Sequence, residues 1–196
     1  IYPIHKINPI KRVVVSSYQA VSGAGAMAVE ELKEQVVAIQ SGEEPKAKIF
    51  KHVIANNVFS HDSDILENGY CEEEMKMVNE TKKIFGDDNI QVNPTCVRVP
   101  IYRAHSESIY LELTNEVDLA AYRQAIEAAP GVQLVDDREK NHFPMPSEVS
   151  GKDDVLVGRF RRDVSVANGL NLFVSGDQLL KGAALNAVQI AELLIA

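Results

Sequence analysis

Apolar and polar positions divide most of the chain into short, well-bounded elements. Three β-branched residues, Val13, Val14 and Val15, follow Lys11-Arg12, and 11–17 reads as a buried strand. A glycine-bearing turn, Ser22-Gly23-Ala24-Gly25, separates it from a helix over 26–40. There Met27, Leu32, Val36 and Ile39 recur at helical spacing, Glu30, Glu31, Lys33 and Glu34 take other faces, and Ser41-Gly42 closes the element. The pattern weakens over 43–70: residues 48–50 and 53–55 allow short strands, and 56–69 reads as loop. A helix over 72–85 is clear, because its first turn is acidic, Lys82-Lys83 lie near its end as the helix dipole prefers, and Gly86 terminates it. Strand character returns at 90–92 and 95–99, with Pro94 as an interruption and Pro100 as the end. Beyond it the pattern predicts a strand at 108–113 and a helix over 118–129, capped near Asn115 and ended by Pro130-Gly131. A strand at 132–135, a polar loop over 137–153, strands at 155–160 and 170–174 and a helix over 182–195 complete the chain.

Helices are scattered among at least five strands, and several connections are too short for parallel crossovers. The expected class is therefore α+β, with a mixed, largely antiparallel sheet and helices packed on it. No repeat, low-complexity stretch or linker divides the sequence, so 1–196 reads as one domain. An apolar fraction of 45% and a charged fraction of 24% are ordinary for a globular protein. The net charge of −8 argues against nucleic acid as a partner, since phosphate neutralisation needs clustered Lys and Arg. No apolar run is long enough to span a bilayer, and no secretory signal is visible, so the expectation is a cytoplasmic protein without a membrane partner. Cys71 and Cys96 lack metal-ligand spacing, so no metal is expected and the compartment reads as reducing.

Gly23-x-Gly25-x-x-Ala28, with Glu43 about 20 residues beyond, imitates a dinucleotide fingerprint. Residues 16–22 intervene between strand and first glycine, and the stretch before Glu43 is helical, so the segment reads as a turn with two permissive residues. Arg98 and His105 are the first candidates for chemistry. An Arg suits a carboxylate, and a His suits proton transfer near neutral pH. Seven residues apart, they would face opposite sides of an ideal strand unless the Pro100 to Ser106 region breaks the alternation; the bland alternative is a surface Arg and a satisfied His. Glu73 and Lys76 share a helix face at i and i+3, which by spacing alone describes an exposed ion pair. Gln19 follows a strand and precedes a glycine turn, where its amide could orient a polar group or be an ordinary loop residue. Cys96 sits two positions from Arg98 and reads as a small buried hydrophobe.

Several separated segments, in order, resemble the substrate-binding half of aspartate-β-semialdehyde dehydrogenase. They are Ser17-Tyr18-Gln19-Ala20-Val21-Ser22-Gly23, the helix 72–84, Thr95-Cys96-Val97-Arg98-Val99-Pro100 through His105-Ser106-Glu107, Arg161-Arg162-Asp163, Asn168-Gly169-Leu170-Asn171-Leu172-Phe173, and 181–189. The segment 56–61 matches only loosely. The resemblance implies the C-terminal catalytic and dimerisation domain of that enzyme, of the glyceraldehyde-3-phosphate-dehydrogenase-like type. It implies reductive dephosphorylation of aspartyl phosphate to aspartate semialdehyde with NADP, through a cysteine thioester, in lysine, methionine and threonine synthesis.

Carried over by position, His105 becomes the general acid/base, Gln19 the residue that positions the acyl intermediate, and Arg98 the carboxylate clamp. Glu73 contacts the substrate amino group, Lys76 the phosphate, and Asn186 and Gln189 lie near the nicotinamide. The resemblance further implies a homodimer through the sheet. The chain opens on Ile1 rather than Met, and the family's nucleophilic cysteine and nucleotide-binding domain would lie upstream. The expectation is therefore a piece that alone turns nothing over and binds NADP weakly or not at all, with the helix from about 181 to 196 exposed where it would meet the nucleotide-binding domain. The alternatives are an N-acetylglutamyl-phosphate reductase relative, which would need no ammonium contact at Glu73, a dimerising paralogue without catalysis, and a proteolytically cut enzyme.

Overall fold

The computed structural model describes residues 1–195. A short helix, α1 (Tyr2–Ile7), which the hydrophobic pattern does not announce, precedes the long strand β1 (Ile10–Gln19). After a 3₁₀ turn come α2 (Ala26–Gln40), β2 (Phe59–Ser60), α3 (Glu72–Phe85), β3 (Gln91–Arg98) and β4 (His105–Leu113). Then follow α4 (Leu119–Glu127), β5 (Val132–Leu134), the one-turn α5 (Pro146–Val149), β6 (Val155–Arg162), β7 (Gly169–Gly176) and α6 (Leu185–Ile195). The strands form a seven-stranded sheet in the order β2-β3-β1-β4-β7-β6-β5. β1–β3 and β5–β6 are parallel and the remaining pairings antiparallel, which makes the sheet mixed and largely antiparallel, as expected.

Register assigns the two faces. Val13, Val15, Ser17 and Gln19 of β1 line up with Val92, Pro94, Cys96 and Arg98 of β3, and Val13 and Val15 pair with Leu111 and Ile109 of β4. On this face Ile4 of α1, Met77 and Phe85 of α3, and Tyr122 and Ile126 of α4 join the core. The opposite face carries Val14, Ser16 and Tyr18 with Ser108, Tyr110 and Phe173, and is partly exposed. There α5 covers one corner, where Val149 packs on Leu156 and Ala104.

Four local expectations change. Pro94 does not interrupt β3, which runs continuously from Gln91 to Arg98. The Cys96 N–H reaches the Glu74 carboxylate (3.0 Å) and its carbonyl accepts from the His61 N–H (2.9 Å), so even positions point to the outer edge. A missing N–H at Pro94 therefore costs no bond to β1. Residues 48–50 and 53–55 are not strands, because side chains of α2 satisfy their backbone. Glu31 accepts from the Ile49 N–H, and the Gln35 carbonyl oxygen accepts from Ile54 (2.9 Å) and Ala55 (3.0 Å). Glu31 and Gln35 are thus the buried residues of α2, together with Ala28 and Leu32, while Met27 is exposed. The cap of α4 is Asp118 rather than Asn115; its carboxylate accepts from the Ala120 and Ala121 N–H groups, both at 3.1 Å. Finally, the last helix starts as a π-helical turn, Leu180–Ala184, before α6.

Candidate active site

The ends of β3, β1 and β4 lie side by side, with Gln19 paired to Arg98 on one side and Tyr18 to Ser106 on the other. This explains how Arg98 and His105 share one pocket although they are seven residues apart. They sit on different strands, joined by a loop that passes through Ala104 at φ +72°. A cavity of about 410 Å³ is lined by Gln19, Gly23, His61, Glu73, Lys76, Arg98 and His105, among others. Five of the seven residues assigned by resemblance therefore converge. Asn186 and Gln189 do not: they lie on α6, and Gln189 accepts a hydrogen bond from Lys181 Nζ (2.5 Å), which borders a neighbouring cavity.

The backbone of Ala20, fully buried at the end of β1, holds both central side chains. Its N–H donates to His105 Nδ1 (3.1 Å), and its carbonyl accepts from Arg98 Nη1 (3.1 Å). Neutral His105 must therefore carry its proton on Nε2. Burial, and then the Arg98 charge, push the His105 pKa down to about 4, so the neutral ring is the resting form. Gly23 lies against the same atoms: a Cβ there would stand 3.2 Å from His105 Nε2 and 3.3 Å from Arg98 Nη1.

Arg98 is 3% exposed, with its guanidinium 5.5 Å from the centre of the Phe50 ring. Burial lowers its pKa, and the carboxylate of Asp62, 3.8 Å from Nη2, opposes that shift. Only two of the five N–H groups of the guanidinium have close partners, on Ala20 and His61; the buried Nε has none among the described residues. Such a group has donors in reserve for a planar acceptor such as a carboxylate.

Glu73 stands in the first turn of α3, where acidic residues favour the helix dipole, and accepts from Lys76 Nζ at 2.9 Å. Burial raises its pKa, but the bond and charge of Lys76 and the Gln19 amide outweigh it, so the carboxylate stays ionised. The bond to Glu73 raises the Lys76 pKa against partial burial. The pocket thus presents two cations, Arg98 and Lys76, and two carboxylates, Glu73 and Asp62, around the neutral imidazole of His105.

Neither cysteine of the chain suits a nucleophile. Cys96 is fully buried, 3.4 Å from Met77 Sδ, and burial pushes its thiol up to about 11. Cys71 is buried at the start of α3. Among the described residues no cluster of potential metal ligands occurs, and no helix is long and apolar enough to cross a membrane. Ala20, whose contribution is entirely backbone, and His61, Asp62 and Ser63, which lie in a loop without periodicity, are pocket residues that the sequence does not single out. The available signal there was a histidine beside an acid just ahead of the Glu73 helix.

The family model for the semialdehyde dehydrogenase dimerisation domain matches residues 1–181. The chain belongs to that family. It is 56% identical over 195 residues to an aspartate-semialdehyde dehydrogenase from Synechocystis, covering 100% of the chain and 58% of that relative. The structure of aspartate semialdehyde dehydrogenase II from Vibrio cholerae, in complex with ASA, superposes with a TM-score of 0.94 at 43% identity, over 98% of this chain and 57% of that one. A Candida albicans aspartate semialdehyde dehydrogenase solved with NADP shares the fold alone, with a TM-score of 0.69 at 21% identity, over 99% and 53% of the two chains. The chain therefore spans less than two thirds of the length of these relatives.

Proposed function

We propose that the chain supplies the substrate-binding, proton-handling and dimerisation part of an NADP-dependent aspartate-semialdehyde dehydrogenase. That enzyme interconverts aspartyl phosphate and aspartate semialdehyde on the route to lysine, methionine and threonine. The supporting observation is the convergence of Arg98, Glu73, Lys76 and His105 on one cavity. An amino-acid acyl phosphate needs a cation for its α-carboxylate, an anion for its ammonium and a cation for phosphate; Arg98, Glu73 and Lys76 are that set. Gln19, buried beside Glu73, orients the acyl group. His105 Nε2–H donates to the oxygen on which negative charge develops. To take a proton at Nε2, the ring would have to give up its bond from Ala20, so donation is its resting role.

The nucleophile is a cysteine outside this chain, since neither Cys71 nor Cys96 fits. Asn186 and Gln189 stand half-buried on α6, apart from the cavity that gathers the other five residues. The chain's own chemistry is binding, orientation and proton handling, and the chain alone is expected to be inactive and to bind NADP weakly. The exposed apolar residues of α6, Val188, Ile190, Leu193 and Leu194, would pack on the nucleotide-binding domain. The partly exposed sheet face around Val14, Tyr18 and Phe173 would form the homodimer.

The deciding experiment is a substrate panel on a protein carrying this chain at the full length of its relatives. Phosphate-dependent oxidation of aspartate semialdehyde by NADP is expected, with N-acetylglutamate semialdehyde inert. Turnover of the acetylated substrate instead would favour the reductase relative, and turnover of neither would favour a non-catalytic paralogue.

A further inference from the structure

We propose that His61 is a positioning residue for substrate recognition, a neutral imidazole that fixes the Arg98 clamp and ties it to the Glu73 helix. This rests on the functional reading above and extends it to a loop that reading does not use. Arg98 Nη2 lies 2.8 Å from His61 Nε2. A guanidinium can only donate, so Nε2 must be the acceptor and the proton of a neutral ring lies on Nδ1. Nδ1 is 3.0 Å from Ser63 Oγ, which also accepts from the Glu73 N–H at 3.3 Å. The Ser63 N–H also points at Nδ1, 3.2 Å away, and competes with Arg98 for the single lone pair of a neutral ring; the shorter, charge-assisted contact to Arg98, at 2.8 Å, decides the tautomer. One continuous path follows: Arg98 Nη2–H to His61, His61 Nδ1–H to Ser63, and Glu73 N–H to the same hydroxyl. It joins the group proposed for the carboxylate to the group proposed for the ammonium.

The loop is anchored where this requires. The His61 N–H donates to the Cys96 carbonyl at 2.9 Å, two residues from Arg98 on the same strand. A protonated ring would set an N–H against the guanidinium, and burial followed by the Arg98 charge lowers the His61 pKa, which keeps the ring neutral. The charged groups facing it are Arg98, Asp62, Glu73 and Lys76. Asp62 is too far from Nη2, at 3.8 Å, to replace the imidazole as acceptor.

The test compares His61→Ala, His61→Asn and His61→Gln in a protein carrying this chain at the full length of its relatives. Losing an acceptor from a charged donor is expected to raise KM for aspartate semialdehyde about tenfold while kcat stays within about threefold. KM for phosphate should hold steady. Gln, whose Oε1 reaches the position of Nε2, is expected to restore KM to within about twofold, whereas Asn, too short, should not. In an Arg98→Lys background His61→Ala should add little, because both act through one contact. A KM unchanged in His61→Ala, or a Gln variant as impaired as Ala, overturns the proposal with the functional reading intact. Absence of turnover by the unaltered enzyme would sink that reading itself. Imidazole ¹⁵N resonances decide the geometry independently of activity: a proton on Nε2 of neutral His61 also overturns the proposal.

Discussion

Gly23→Ala should damage the site while sparing the fold. Gly23 lies in the 3₁₀ turn after β1 and does not occupy the left-handed region, so alanine suits its backbone. Replacing glycine at such a position gains about 0.4–1 kcal/mol by restricting the unfolded chain. The new methyl group would, however, stand 3.2 Å from His105 Cε1 and Nε2 and 3.3 Å from Arg98 Nη1. Carbon contacts prefer about 3.5–4.0 Å, so these groups must retreat by roughly half an ångström. Neither is free to do so, because His105 Nδ1 is bonded to the Ala20 N–H and Arg98 Nη1 to the Ala20 carbonyl. Catalytic groups tolerate about 0.5 Å, and a misplacement of about 1 Å can cost roughly a hundredfold. A fall in kcat/KM of about tenfold is therefore expected in the phosphate-dependent oxidation assay, with unfolding free energy within about 1 kcal/mol of the parent. An unchanged kcat/KM would refute the argument. So would a loss of stability beyond about 2 kcal/mol, since the backbone would then be absorbing the crowding.

Two further outcomes are expected. His105 titrates at about 4 in the fold against 6.5 in a model peptide. The unfolded chain therefore binds the proton first, and stability should fall as pH drops from about 6.5 towards 4, by at most about 3 kcal/mol; urea unfolding of the parent and His105→Gln at pH 7 and 4.5 measures this share, which the variant should lack. Tyr18→Glu places a charge on the partly exposed sheet face, 6.2 Å from Phe173 between ring centres, and a two-fold interface would meet it twice. Light scattering should show a dimer for the parent and a monomer for the variant, and an unchanged mass would count against that face as the interface.

The elements legible in the sequence are those whose hydrogen bonds are local or whose pattern is periodic. The helices over 26–40 and 72–85 appear with the expected bounds, and β1 shows itself through Val13 to Val15. Residues 43–58 are opaque because the groups that satisfy them, Glu31 and Gln35, lie up to 20 positions away on α2. A local reading therefore supplies strands to pair what side chains already hold. Pro94 misleads for a related reason: proline breaks a ladder only where its N–H would have been used, and the topology turns that position to the outer edge. α1 is short, and its single fully buried residue, Ile4, gives no periodicity to detect.

The site divides in the same way. Arg98, His105, Glu73, Lys76 and Gln19 were nameable from the resemblance, but their spacing alone favoured ordinary surface roles. Only the insertion of β1 between β3 and β4 makes one pocket of them. What fixes the chemistry within that pocket is carried by groups with no sequence signature. The N–H and carbonyl of Ala20 choose the tautomer of His105 and anchor Arg98, and any residue with a small side chain would supply the same two atoms. The roles proposed for His105 and Arg98 are therefore set jointly. A change that rotates the Ala20 peptide would disturb proton donation and carboxylate binding together, although it touches neither side chain.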